Sequence, residues 1–216
     1  KEAGRNLGRL GAAPVERLLD TIRDSEDSDE RVRILQVLSE IGEPTIPAIT
    51  QRMSMEQPWY FLRNLCYILG RVGTEYQAVQ LAPFLLHDDQ RVQQECLKSL
   101  QRIGGKVRAE TLLSALPKVD EKFKLSVVEM LGTIKASVAI PALVELLRSK
   151  ASKAQALKTE LDEKICTALG RIGSEEALPA LAEIANAKDF WNIRSYQTKV
   201  KIAAGKAISA ISRYMA

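Results

Sequence analysis

The sequence predicts an all-helical protein built from tandem repeats, and three observations carry that prediction. A five-residue pattern returns at a fixed interval: LGRLG at 7, LSEIG at 38, LGRVG at 69, LQRIG at 100, LGTIK at 131, LGRIG at 169 and ISAIS at 208. The first four steps are 31 residues each and the last two are 38 and 39; a constant interval of this size marks a repeat architecture. Each interval holds a short and a longer apolar stretch of helical period, separated by turns. Composition agrees, because aromatics are 5% of the 216 residues while 46% are apolar, with leucine, alanine and isoleucine abundant, a balance that favours helices over sandwiches.

The elements follow in chain order. KEAGRNLGRLG (1–11) reads as the tail of a second helix, so a partial repeat and a piece of a larger protein are expected there. DSEDSDE (24–30) lacks the central glycine and terminal glutamate of a calcium loop and reads as a solvated turn, with Asp27 or Asp29 capping the helix after it. PTIPAITQRM (44–53) is a first helix with its proline early, where a missing N–H costs least. QPWYFLRN (57–64) opens the next second helix, with Phe61 inward and Trp59 and Tyr60 at the edge close to Arg63.

LLHDDQRV (85–92) offers His87, Asp88 and Asp89, but residues adjacent in sequence rarely converge on one ion, and Asp89 falls where RVQQECLKSLQRIG (91–104) needs an N-cap. IPALVELLRS (140–149) and LPALAEIANA (178–187) are the first helices of later repeats. The two long intervals place extra sequence within the last two repeats. KASKAQALKTE (150–160) is helix-compatible and is expected to lengthen a helix. KDFWNIRSYQTK (188–199) combines Phe190, Trp191 and Tyr196 with Lys188, Arg194 and Lys199, aromatics that either seal the end of the core or anchor a partner.

The pentapeptide itself ends a helix. In LGRVG the leucine and valine lie three residues apart and face inward, and Gly73 is expected to take a left-handed backbone conformation. A phosphate loop would precede a helix rather than close one. Laying the second helices in the 31-residue register and advancing 100° per residue puts Leu65, Cys96, Val127 and Ile165 in one inward column. Cys66, Leu97, Val128 and Cys166 form the next, and Leu69, Leu100, Leu131 and Leu169 a third. The opposite arc holds Arg63, Asn64, Tyr67 and Arg71, then Gln94, Glu95, Lys98 and Arg102. Later repeats continue it with Leu125, Ser126, Glu129 and Thr133, then Glu163, Lys164, Thr167 and Arg171.

Units with proline early in the first helix and a second helix ending in LGRIG resemble HEAT repeats, particularly the short bacterial variety related to phycobilin-lyase repeats. The resemblance implies a single domain over 1–216: a right-handed α-α superhelix, a HEAT-like solenoid of about six to seven hairpins. It also implies that the second helices line the concave face, so that the open arc floors a groove.

The three cysteines have no CxxC spacing, and their inward columns make them packing residues in a reducing, cytoplasmic protein. No apolar run is long enough to span a bilayer, so no membrane contact is expected. No nucleophile stands beside a base, and neither catalytic residues, a cofactor site nor a metal site is expected; the chain reads as no enzyme. The expected function is a non-enzymatic protein-protein interaction scaffold, its partner another protein or another domain of the parent chain. Candidate contact residues are Trp59, Tyr60, Arg63, Tyr67, Arg71, Lys98, Arg102, Trp191 and Arg194. The alternative is nucleic-acid binding by the basic half, since residues 105–216 carry a net +6 against −2 for 1–104. The resemblance implies a third reading, phycobilin-lyase-type chromophore handling.

Overall fold

The computed structural model describes residues 12–149, 155–187 and 196–215. Among these the backbone forms twelve α-helices and four short 3₁₀ turns, with no strand, an all-α HEAT-like repeat fold. The chain divides into two compact units, residues 1–111 and 112–216.

The first unit contains α1 (Ala12–Asp24), α2 (Ser28–Ile41), α3 (Ile46–Arg52), α4 (Trp59–Val72), α5 (Glu75–Leu81), α6 (Gln90–Ile103) and the start of α7 (Val107–Ala115). The first helices α3 and α5 are seven residues long, whereas α2, α4 and α6 each run for 14. Prolines sit where a helix begins, as Pro47 does in α3. Asp27 accepts a hydrogen bond from the Asp29 amide and Asp89 one from the Arg91 amide, both at 2.8 Å, so both predicted caps are present. His87 faces the same turn, its Nδ1 accepting from the Asp89 amide at 2.9 Å.

The core of this unit is the predicted inward set. Leu38, Leu65, Cys66, Leu69, Cys96 and Leu100 are wholly buried, and each buried leucine contributes roughly 2 kcal/mol of transfer free energy. The expected outer arc is narrower than the sequence suggests. Asn64 and Glu95 are buried, not open, because adjacent second helices cover the flanks of the arc and leave only its centre to solvent.

That closeness has a local cause. A Cβ on Gly70 would stand 2.7 Å from Ser99 Cα, so α4 and α6 touch backbone to backbone where Gly70 has no side chain. Ser99 Oγ donates to the Cys66 carbonyl at 2.8 Å across this contact. The helix-ending glycines differ from one another. Gly42 and Gly104 take φ of 81° and 77° as expected, but Gly73 is extended at φ −77° and ψ 163°. Its glycine is required by space instead: a Cβ there would lie 2.6 Å from the Leu69 carbonyl oxygen and 2.9 Å from Gln77 Cβ.

The second unit contains the end of α7, then α8 (Glu121–Thr133), α9 (Ile140–Arg148), α10 (Gln155–Ile172), α11 (Leu178–Ala185) and α12 (Thr198–Met215). Val127, Val128, Leu131, Ile165, Cys166 and Leu169 are wholly buried here, in the predicted columns. The close approach of second helices recurs, since a Cβ on Gly132 would sit 2.7 Å from Ala168 Cα and one on Gly170 2.9 Å from Ala207 Cα. In each case the residue after one repeat's apolar rung meets the residue before the next.

The longer fifth interval lengthens α10 to 18 residues, as expected from residues 155–160. That extra turn buries Lys158 and Asp162, which pair with each other four residues apart. From the last interval, Tyr196 is buried and Lys199 lies in the first turn of α12, while Phe190, Trp191 and Arg194 fall outside the described residues.

Candidate functional site

The sequence-predicted residues of the first unit converge on the face shared by α4 and α6. Trp59 opens α4 because Pro58 ahead of it is fixed in an extended conformation. The indole is half-buried, and Arg91, one residue into α6, lays its guanidinium 3.2 Å from the ring centroid. Sequence spacing points to Arg63, one turn along the same helix, as the cation nearest Trp59. The cross-helix Arg91 takes that place, aimed by Asp89, whose carboxylate accepts from its Nη2 at 2.7 Å. The Arg91 guanidinium and amide in turn hold the Asp89 carboxyl down to about 2.

Tyr60 is exposed and its hydroxyl donates to the Arg23 carbonyl at 3.2 Å, which fixes it toward α1. Tyr67 is half-buried one turn before Arg71, and two guanidiniums lie over its ring: Arg102 at 5.2 Å and Arg71 at 5.9 Å from the centroid. Arg102 also pairs at 2.8 Å with the buried Glu95. This contact satisfies a carboxylate that would otherwise be costly to bury.

Arg63, Arg71 and Lys98 are exposed, and among the described residues none of them forms an ion pair. Arg63, Arg91, Lys98 and Glu95 border an open pocket of about 370 Å³ together with Gln90 and Gln94. The site therefore presents cations around a concavity whose single acid is already engaged. An unpaired surface cation keeps its hydration until a carboxylate arrives, and a cluster of them attracts anions from a distance.

The second unit has a counterpart between α10 and α12. That pocket of about 420 Å³ is lined in part by Glu163, Arg171, Lys199, Ile202 and Tyr214. Of its lining cations, Lys199 Nζ lies 3.6 Å from Glu163 and Arg171 reaches Glu129 at 4.0 Å, where Lys164 also pairs at 2.5 Å. Lys206, which also lines it, is exposed and forms no ion pair among the described residues. Lys164, and to a smaller degree Arg171, lowers the Glu129 carboxyl.

All three thiols are buried. Burial pushes Cys166 up to about 12, with Asp162 adding to the effect, and burial likewise raises Cys96, whose thiol donates to the Leu81 carbonyl at 3.0 Å. Among the described residues no group of three His, Cys, Asp or Glu side chains is placed to hold a metal ion, and no helix is long and apolar enough to cross a membrane.

Residues 109–197 match the family of HEAT repeats. No curated protein matches the sequence. Among solved structures, human deoxyhypusine hydroxylase in complex with glycerol aligns over 97% of this chain and 78% of its own, at 18% identity and a TM-score of 0.52. A designed armadillo repeat protein aligns over 91% of this chain and 99% of its own, at 16% identity and a TM-score of 0.42. An engineered protein aligns over 93% and 97%, at 18% identity and a TM-score of 0.44. The family match covers less than half of the chain and, with the all-helical architecture, supports a HEAT-like repeat fold, a kind of array that leaves an extended surface free for docking. The match is to HEAT repeats at large, without the phycobilin-lyase subtype.

One expectation is corrected. The reading of the chain as no enzyme rested on the lack of a nucleophile beside a base in the sequence. The similarity to deoxyhypusine hydroxylase shows that this fold carries catalysis in another protein, so the fold and the missing motif do not rule out an enzyme.

Proposed function

We propose that the face formed by α4 and α6 is a protein-docking surface, and that the chain serves as an interaction scaffold through it. The observation that supports this reading is the set of cations without a carboxylate partner among the described residues, Arg63, Arg71 and Lys98, beside aromatic rings already held in place by Arg91 and Arg102. Rigid aromatic and arginine side chains on a supported helix face lose little conformational entropy on binding, and they dominate the energetics of interfaces. The partner is another protein or another domain of the parent chain.

A photo-crosslinking residue at position 63 or 71 of the full chain tests the proposal, with position 79 on the exposed side of α5 as control. The expected result is a discrete protein adduct from 63 and 71 and none from 79. The purified adduct partner should then bind the unsubstituted chain, with affinity reduced about tenfold or more, roughly 1.4 kcal/mol, in the Trp59→Ala, Arg63→Ala, Arg71→Ala variant. Adducts from position 79 alone would contradict the proposal.

A further inference from the structure

We infer that the partner segment recognised by the α4–α6 face is an extended acidic stretch of polypeptide, with carboxylates at alternate positions; this rests on the docking reading above and specifies its ligand. Three features of the face select that chemistry.

The first is charge. Arg63 and Lys98 border one pocket, and Arg71 stands further along α4, all three exposed and without carboxylate partners among the described residues. The acid that lines this pocket, Glu95, is already engaged by Arg102, and Asp89 at the start of α6 by Arg91. A carboxylate entering the pocket therefore meets an acid that is already engaged, and the charge-assisted hydrogen bonds it makes are stronger than neutral ones.

The second is spacing. Eight helical residues separate Arg63 from Arg71, a rise of about 12 Å. An extended chain advances roughly 3.3 Å per residue, so every second side chain repeats at about 6.6 Å on one face. Carboxylates at positions one, three and five of such a segment span about 13 Å, close to that rise along α4, with Lys98 on the neighbouring helix.

The third decides between protein and nucleic acid. Single-stranded nucleic acid binds through open aromatic faces on which bases stack. Here a face of the Trp59 ring is taken by Arg91 at 3.2 Å, and the Tyr67 ring carries Arg102 and Arg71. These arginines supply positive charge while withdrawing stacking surface. Carboxylates can use what remains, and bases cannot.

Fluorescence anisotropy on the full chain tests the inference with a labelled peptide of about ten residues carrying glutamate at alternate positions. The comparison ligands are its glutamine counterpart and a single-stranded oligothymidylate of similar charge. The glutamate peptide should bind at least about tenfold more tightly than the glutamine peptide, and binding should weaken as salt is raised. Arg63→Glu and Lys98→Glu should each weaken it by about tenfold or more, with the helical circular dichroism signal and Tm unchanged. Lys164→Glu with Lys199→Glu should leave it as it was. Equal binding of both peptides, or none of either while the crosslinked partner still binds, would overturn the acidic ligand and leave the docking face standing. Tighter binding of the oligonucleotide that is lost in Arg63→Glu would overturn both.

Discussion

The two units carry the same kind of helix face and differ in how many of its cations are paired. On the face between α10 and α12, in the half that carries a net +6, Lys164 and Arg171 converge on Glu129 and Lys199 on Glu163, leaving Lys206 open. On the face between α4 and α6, Arg63, Arg71 and Lys98 have no carboxylate partner among the described residues, since acids of that unit lie elsewhere, at the α1–α2 turn and in the contacts of Arg52 with Glu16 and Asp20. Net charge counted along a sequence therefore does not say which cations are open. What a partner meets is set by which cations lack an internal acid.

Each face stands on closely packed second helices of its own unit, and the largest predicted effects break that packing. Gly70→Val in the first unit and Gly132→Val in the second each force a side chain into a neighbouring helix backbone. Urea denaturation should show losses of about 3 kcal/mol for either. Gly205→Ala, with nothing within 4 Å of the added carbon, should instead stabilise α12 by about 0.5–1 kcal/mol. A harmless valine at Gly70 or Gly132 would contradict the close-contact account.

The next prediction converts one face into the other. Glu129→Gln with Glu163→Gln releases Lys164, Arg171 and Lys199. In an Arg63→Glu, Lys98→Glu background this should restore measurable affinity for the acidic peptide, by about threefold or more, roughly 0.7 kcal/mol. No gain would mean that something other than free cations distinguishes the faces.

A third probe asks whether the layer beneath both faces is equally closed. With Cys96 raised by burial and Cys166 near 12, a disulfide reagent at pH 8 should find the native thiols at least about tenfold slower than a free thiol, and should titrate all three in urea. A rapid native burst would show that one unit opens.

The smallest effect sharpens the arginine–tryptophan stack. The Asp89 carboxyl should titrate near 2 by NMR, below its ordinary 3.8. Because the folded value is depressed, its contribution to stability is complete above about pH 4 and is lost as pH falls toward 2. A midpoint near 4 would show that Arg91 is not held by it.

The sequence made the scaffold legible because 31-residue spacing fixes the register, and register fixes which columns turn inward. Leu38, Leu69, Leu100 and Leu131 are all wholly buried on that basis alone. Caps were legible too, since Asp27 and Asp89 act within two residues of themselves. What could not be read depends on how adjacent helices meet. The pairing of Gly70 with Ser99, Gly132 with Ala168 and Gly170 with Ala207 had a signal, a small residue on either side of successive rungs, but its meaning appears only with the helices side by side. The burial of Asn64 and Glu95, the stacking of Arg91 on Trp59 and the extended Gly73 are consequences of the same packing. Of the predicted contact residues, Trp59, Tyr67, Arg71 and Arg102 share ring contacts on one face with Arg63 and Lys98 beside them, Tyr60 turns toward α1, and Trp191 and Arg194 lie outside the described residues.

The most direct test of the central claim is carbodiimide coupling, which joins a carboxylate to a lysine amine only when the two touch. Treating the chain with the alternating glutamate peptide and sequencing the adduct should place the new amide on Lys98. Adducts confined to Lys164, Lys199 or Lys206, with Lys98 unmodified, would show that the second unit is the one that receives acidic partners.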